Sequence, residues 1–182
     1  MKLLTICLVI VLLAMIAKTY FFSFRFQSPQ DYADTGPQFV LTEHLSGEIL
    51  SEGVIFGPAG KMTSSFTARM VGKWEGDTGT LTEEFTFSNG ATQSRKWHLK
   101  LGAGNTFTAT ADDLDGVAQG VVSGSTVQLT YNIILPENSG GHTLQATDWL
   151  YLTANGVIIN KSEMRKFGLK AAELVATMRP AD

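Results

Sequence analysis

Apolar and polar side chains alternate along most of the chain, in short runs separated by turn-forming residues. In the run Phe66–Trp74 every second residue is apolar or small, and the residues between them are mostly polar. Similar runs recur from Gly47 onward, with turn formers such as Asn89-Gly90 between them. A period of two predicts β-strands that bury one face, and short connections require antiparallel pairing. The residues therefore predict an all-β fold of about eight or nine strands, closed as a barrel or stacked as a sandwich.

Near the C-terminus the apolar residues repeat at helical spacing, namely at Met164, Phe167, Ala171, Leu174, Val175 and Met178. Ser162 is a suitable helix N-cap, while Gly168 would weaken a continuous helix. We predict a short helical turn over residues 162–167. For residues 169–178 the pattern leaves two alternatives open, a last strand or a covering helix.

The N-terminal segment Leu3–Ala17 is almost entirely apolar. Signal-peptidase cleavage is poorly supported, because the small residues Ala14 and Ala17 are not spaced as a cleavage site requires. About 20 apolar residues suffice to cross roughly 30 Å of hydrocarbon, so an uncleaved anchor is favoured. The predicted units are one transmembrane or signal helix in 1–26, a polar linker in 27–38 and the β-domain in 39–182.

Charge and cysteine content exclude several classes of function. The formal net charge is −3, but three of the 14 basic residues lie in the first 26 positions, which leaves 11 basic and 17 acidic residues for the rest. That part of the chain lacks the basic surface that nucleic-acid binding needs. The single cysteine, Cys7, lies in the apolar segment, so no internal disulfide is predicted. His44, His98 and His142 lack the spacing of a metal site, and the sequence contains no catalytic or cofactor-binding motif.

Two charged residues fall on the apolar faces of neighbouring predicted strands. Glu83 lies two positions before Phe85, and Arg95 lies two positions before Trp97. A three-residue loop at 89–91 would place Phe85 opposite Arg95 and Glu83 opposite Trp97. Glu83 and Arg95 would then be diagonal neighbours, about 7–8 Å apart at Cα. Such a pair either holds the polar group of a ligand or forms a buried structural ion pair.

Asp148 is a third candidate, because it falls on the inward face of a predicted strand that contains Leu144, Ala146 and Leu150. A carboxylate there needs a hydrogen-bond donor or a place near the rim. Inward aromatic residues either line a ligand site or belong to the core. The candidate ligand-binding residues are Trp74, Glu83, Phe85, Arg95, Trp97, Tyr131 and Asp148.

The order of several motifs resembles a bacterial family of unknown function, number 3833 in the domain-of-unknown-function series. The matching elements are Gly72-Lys-Trp74, Leu81-Thr-Glu-Glu-Phe85, Arg95-Lys-Trp97, Asp115-Gly-Val-Ala-Gln-Gly120, Tyr131, Asp148-Trp149 and Asn160-Lys-Ser-Glu-Met-Arg-Lys-Phe-Gly168. The resemblance covers about residues 39–178. It implies an envelope protein with a lipocalin-like, calycin-type antiparallel β-barrel of about eight to ten strands. Members often occur beside fatty-acid-modifying enzymes. Unlike many of them, this chain lacks a cysteine suited to lipidation.

Three hypotheses of function follow. The first is a membrane-anchored, non-enzymatic binder or carrier of a lipid or other hydrophobic small molecule. The second is an enzyme or accessory factor that acts on membrane fatty acids or lipids, with Glu83 or Asp148 as the acid–base group. The third is a structural or assembly protein that docks to a protein partner. The resemblance implies an envelope setting. Together with the apolar N-terminal segment, it leads us to expect a single pass through the bacterial inner membrane, with the β-domain facing the periplasm.

Overall fold

The computed structural model of the chain describes residues 2–21, 23–137 and 140–181, so Met1, Phe22, Asn138, Ser139 and Asp182 lie outside the description. Within these residues, ten antiparallel strands form one closed barrel. The strands are β1 (Gly47–Phe56), β2 (Met62–Glu75), β3 (Thr78–Phe87), β4 (Thr92–Leu101), β5 (Thr106–Thr110), β6 (Ala118–Ser123), β7 (Thr126–Ile134), β8 (Thr143–Leu152), β9 (Ile158–Lys166) and β10 (Leu169–Pro180). The helical segments are α1 (Lys2–Phe21), two 3₁₀ turns (Phe24–Phe26 and Pro29–Tyr32) and the short helix α2 (Leu41–His44).

Strands that follow each other in sequence are neighbours in the barrel, and β1 also pairs with β10. Every strand therefore has a hydrogen-bonded partner at both edges, which removes the exposed edges of an open sheet. The alternation is clear in β2, where Phe66, Ala68 and Met70 are buried while Thr67 and Arg69 are exposed. The all-β antiparallel barrel expected from the sequence is confirmed.

The C-terminal residues form a hairpin of two strands. β9 continues through Lys166, and the turn at Phe167-Gly168 leads into β10, so the helical turn predicted at 162–167 is wrong. Both turn residues have positive φ, 52° and 78°, which is the backbone conformation of a tight hairpin. Residues 169–178 are strand, because β10 pairs with β9 on one side and with β1 on the other. Pairing that closes the barrel outweighs the helical spacing.

The N-terminal helix α1 presents apolar side chains such as Leu4, Leu8 and Leu13 to the surroundings. In the part of the chain that the structure describes, no helix combines the length and the apolar character needed to cross a membrane.

The segment between α1 and the first strand packs along the outside of the barrel. The ring of Tyr32 lies 5.2 Å from that of Trp149, measured between centroids. Gln27 Oε1 accepts hydrogen bonds of 2.7 Å from the hydroxyls of Tyr32 and Tyr151. Residues 27–38 are thereby attached to the outer face of β8.

α2 covers one end of the barrel. Its residue Leu41 and the following Leu45 are both buried. Trp74 Nε1 donates a 3.0 Å hydrogen bond to the carbonyl oxygen of Leu45. Gly72 allows this close approach, because a Cβ built on it would lie 1.9 Å from the same oxygen. α2 therefore closes the barrel at this end.

Candidate functional site

Glu83 on β3 and Arg95 on β4 are direct cross-strand partners, where the sequence predicted diagonal neighbours. Trp97 lies opposite Leu81, and Phe85 lies opposite Gln93. The predicted register is therefore wrong by two residues. Because an even shift keeps every side chain on its own face, Glu83 is still buried and Arg95 is partly buried.

The β3–β4 turn explains the shift in register. Phe87 N–H donates to Ala91 O and Gly90 N–H donates to Phe87 O, both at 2.9 Å. The loop is therefore 88–90 in place of the predicted 89–91. A three-residue hairpin loop needs a residue with positive φ in its third position, and Gly90, with φ of 83°, fills it.

A cavity of about 70 Å³ lies inside the barrel, with α2 and the residue that follows it forming part of its wall. Most of the wall is apolar and consists of Leu41, Leu45, Leu81, Trp97, Leu99, Phe107, Ala109, Val127, Leu129, Leu150 and Met178. Three polar residues complete it: Glu83, Asp148 and Asn160. The cavity thus combines an apolar wall with two carboxyl groups and one amide.

Glu83 is 7% exposed and accepts a 3.3 Å hydrogen bond from the indole Nε1 of Trp97. Burial raises the pKa of Glu83 from 4.5 to about 7. The positive charge of Arg95 and the Trp97 hydrogen bond lower this pKa, whereas the negative charges of Asp148 and Asp113 raise it. Burial dominates, so Glu83 exchanges its proton near neutral pH.

Asp148 on β8 is also 7% exposed, and burial raises its pKa. The hydroxyl of Tyr131 donates a 3.0 Å hydrogen bond to Asp148 Oδ2. The opposite residue on β9 is Ser162, whose hydroxyl donates to Asn160 Oδ1 at 3.0 Å. Hydrogen bonding from Ser162 and Tyr131 and the charge of Arg95 lower the pKa of Asp148 and partly offset the effect of burial. Asp148 Oδ1 is buried and has no hydrogen-bond partner among the described residues.

Arg95 lies beside the cavity, between an acidic group and two aromatic rings. Its Nε donates a 3.0 Å hydrogen bond to Asp113 Oδ1. Its Cζ lies 4.1 Å from the ring centroid of Trp97 and 5.6 Å from that of Tyr131. Burial opposes the charge on Arg95, but Tyr131, Asp113 and Glu83 raise its pKa above the ordinary value. Arg95 is therefore a permanent cation at the edge of the site.

The structure brings together five of the seven residues singled out from the sequence. Glu83, Trp97 and Asp148 line the cavity, and Arg95 and Tyr131 contact them. The other two lie elsewhere and do not line this cavity. Trp74 holds α2 through Leu45, and Phe85 packs against Phe66 and Phe87, with ring centroids 5.3 Å and 6.1 Å away.

Three residues of the site were missed in the sequence. The sequence suggested Ser162 only as a helix N-cap and gave Asn160 no role, but both residues alternate with outward residues in β9, between Ile158 and Met164. That period of two was a usable signal. Asp113 lies in the β5–β6 connection, where no periodicity could indicate its contact with Arg95. In the described residues, no group of three or more His, Cys, Asp or Glu side chains is arranged to hold a metal ion.

Two solved structures share this fold at low sequence identity. The S-type phycobiliprotein lyase CPES from Guillardia theta superposes with a TM-score of 0.56 at 8% identity, over 78% of this chain and 91% of the lyase. Rv2717c from M. tuberculosis superposes with a TM-score of 0.54 at 14% identity, over 82% of this chain and 100% of that chain. At such identities the likeness establishes the barrel fold and nothing about the ligand. A search of curated protein sequences gave no match.

The sequence profile of one protein family matches nearly the whole β-domain and the segment before it. It covers residues 18–180 and is described as a protein of unknown function, DUF3833. The chain therefore belongs to the DUF3833 family.

Proposed function

We propose that this protein is a membrane-attached, non-enzymatic binder of a hydrophobic small molecule, whose polar group lies against Glu83 and Asp148. One observation carries the proposal: Asp148 Oδ1 is buried at an otherwise apolar cavity, with no hydrogen-bond partner in the described ranges. A buried acceptor left unpaired costs about 1–3 kcal/mol. A ligand that donates a hydrogen bond to this oxygen recovers that free energy and places its apolar part against the wall.

The size of the cavity limits what it accepts in this conformation. Its volume of about 70 Å³ is well below the roughly 300–1,000 Å³ of pockets that enclose drug-sized ligands. A polar head with a few carbon atoms fits, but a long-chain lipid does not. Binding of a longer molecule therefore requires part of the wall to move.

α2 is the part of the wall best suited to move. It is a single helical turn, and Leu41 and Leu45 contribute apolar side chains to the cavity. Among the described residues, this region is attached to the barrel by hydrogen bonds from Trp74 Nε1 to Leu45 O (3.0 Å) and from Phe39 N–H to Gly124 O (2.8 Å). We propose that ligands enter at this end, where displacement of α2 extends the cavity outward.

Attachment to a membrane through α1 belongs to the same proposal. The apolar side chains between Leu4 and Met15 are exposed, and such a surface is normally covered by lipid or protein. The bacterial inner membrane, with the barrel on the periplasmic side, is the location we propose.

Native mass spectrometry of the full-length chain, extracted from bacterial envelopes in a mild detergent, tests this function. We expect one bound hydrophobic molecule per chain, with a lower occupancy in the Asp148→Asn variant. The Asp112→Asn variant is the matched control, because Asp112 is exposed in the β5–β6 connection. Ligand-free protein from repeated preparations that also takes up no added fatty acid, alcohol or amine would refute the proposal and favour docking to a protein partner.

A second function, acid–base catalysis on the bound molecule, is favoured by the pKa of Glu83. A value of about 7 is suited to a general acid or base at neutral pH. In that case the Glu83→Gln variant would bind but not convert its substrate, and would retain a molecule of different mass from the wild-type protein. The same mass in both proteins would contradict catalysis by Glu83.

A further inference from the structure

The carboxyl-bearing wall of the internal cavity presents mainly hydrogen-bond acceptors. Glu83 and Asp148 contribute carboxyl oxygens, and Asn160 contributes one amide. The Asn160 oxygen already accepts from Ser162, which leaves the amide nitrogen as a donor. The polar part of the wall thus consists of two carboxyl groups, which accept hydrogen bonds when ionised, and one amide nitrogen, which donates them.

Two protein side chains each donate a hydrogen bond to one oxygen of a cavity carboxyl group. Trp97 Nε1 donates to Glu83 Oε2 at 3.3 Å, and the Tyr131 hydroxyl donates to Asp148 Oδ2 at 3.0 Å. Tyrosine and tryptophan each carry a single such proton. Asp148 Oδ1 is left buried without a donor in the part of the chain described. When Asp148 is ionised, both of its oxygens are acceptors, and the missing partner of Oδ1 is a donor that a bound molecule could supply.

The balance of charge points the same way. The positive charge of Arg95 is shared by Asp113, at 3.0 Å, and by the two buried carboxyl groups of Glu83 and Asp148. Arg95 does not line the cavity, and its guanidinium lies over the Trp97 ring. Where Glu83 and Asp148 are ionised, on the alkaline side of the pKa of about 7 of Glu83, three acidic groups surround one basic group, so a negatively charged ligand would be repelled and a positively charged one attracted.

We infer that the cavity selects a small aliphatic group that carries a primary ammonium or a hydroxyl, and discriminates against a carboxylate. This inference rests on the proposed function and names its ligand class. It differs from the prediction that Glu83 and Arg95 together hold the polar group of a ligand, because Arg95 Nε donates to Asp113 and Arg95 does not line the cavity. The ammonium or hydroxyl would donate to Asp148 Oδ1, with its carbon atoms against Leu81 and Leu129.

A titration with three probes of equal chain length tests the inference. Octylamine, octan-1-ol and octanoate are added to the full-length chain at pH 8, and the bound fraction is read by native mass spectrometry. We expect octylamine and octan-1-ol to bind about tenfold more tightly than octanoate. In Asp148→Asn this advantage should fall to about threefold or less, whereas Asp112→Asn should keep it. If Asp148→Asn does not fold, Glu83→Gln serves as the second variant and should also reduce the octylamine advantage.

The outcomes separate the inference from the function on which it rests. Octanoate bound as tightly as octylamine would overturn the inference while leaving a binding function intact. Such a result would indicate that the buried Nη2 of Arg95, which has no hydrogen-bond partner among the described residues, is the recognising group. An amine preference unchanged in both the Asp148 and the Glu83 variant would also overturn it. If none of the three probes binds, the proposed function fails and the inference fails with it.

Discussion

Replacing Glu83 with glutamine removes a carboxylate whose ionisation the barrel interior opposes. The groups that face it are Arg95 and Trp97 from β4, which lower its pKa, and Asp148 from β8 and Asp113 from the β5–β6 connection, which raise it. Burial is the largest influence and leaves the pKa at about 7, compared with an ordinary 4.5. Glutamine has nearly the same shape and keeps an oxygen that can accept the Trp97 hydrogen bond.

The magnitude follows from the two pKa values. Below pH 4.5 the carboxyl group is protonated in the folded and unfolded chains, and its ionisation costs nothing. Between pH 4.5 and about 7 only the folded chain retains the proton, so stability falls as the pH rises. Above about pH 7 the carboxyl group is ionised in both the folded and the unfolded chain, and the full loss of stability is reached. A difference of about 2.5 pH units at about 1.4 kcal/mol per unit gives about 3 kcal/mol.

Urea unfolding of the full-length chain in mild detergent, followed by circular dichroism, measures this cost. We expect Glu83→Gln to be more stable than the wild-type chain by about 3 kcal/mol at pH 8.5, and by less than about 1 kcal/mol at pH 5. Glu84→Gln is the matched control, because Glu84 is exposed on the outer face of the same strand. A Glu83→Gln variant that is equally stable or less stable at pH 8.5 would refute the argument that Glu83 is a destabilising, ionised group.

Three further substitutions test other contacts of the site. Trp74→Phe keeps an aromatic ring but removes the indole N–H that bonds Leu45, next to α2. We expect the free energy of unfolding to fall by about 1 kcal/mol and ligand uptake to be faster in stopped-flow fluorescence. Unchanged uptake would contradict ligand entry at this end of the barrel. Tyr131→Phe leaves Asp148 without its donor, which should cost about 1–3 kcal/mol in urea unfolding at pH 8.5; a neutral result would mean that the bond does not hold that carboxylate. Arg95→Met removes the cation that lowers the pKa of Glu83, so we expect this pKa to rise above 7. NMR titration of the Glu83 carboxyl carbon measures it. A lower pKa in the variant would contradict the stabilisation of the Glu83 carboxylate by Arg95.

Alternation was sufficient to predict the all-β antiparallel fold and the inward side chains of its strands, while the choice of a barrel over a sandwich came from the family resemblance. Phe66, Ala68 and Met70 on β2, and Leu81 and Glu83 on β3, are buried as a period of two requires. This works because successive strand residues point to opposite faces whatever their partners are. The positions of charged residues on apolar faces therefore indicated the site before any contact was known.

Register and closure could not be predicted with the same success. The partner of Arg95 depends on whether Ser88 or Asn89 begins the loop, and both fit a turn. The strand β10 is held by backbone pairing with β1, which lies more than a hundred residues earlier in the chain. Local spacing carries no information on such a distant partner, so the helix-like pattern around Leu174 was misleading.

The site itself was predictable only in part, because its contacts come from different kinds of structure. Asp148 was found from its place on an inward face, and Asn160 could have been found in the same way. Asp113 belongs to a connection, and its contact with Arg95 depends on how that connection folds over the barrel. The size of the cavity depends on α2, which has no sequence pattern that places it at the barrel end.

A crystal structure of the full-length protein, purified in mild detergent and crystallised with octylamine, tests binding inside the barrel most directly. We expect electron density for the ligand inside the barrel, with its nitrogen within hydrogen-bond distance of Asp148 Oδ1 and its chain directed toward a displaced α2. Density for ordered water alone beside Asp148, in a cavity still closed by Leu41 and Leu45, would contradict it. The barrel interior would then be a hydrated core, and binding inside it would be excluded as the function of the chain.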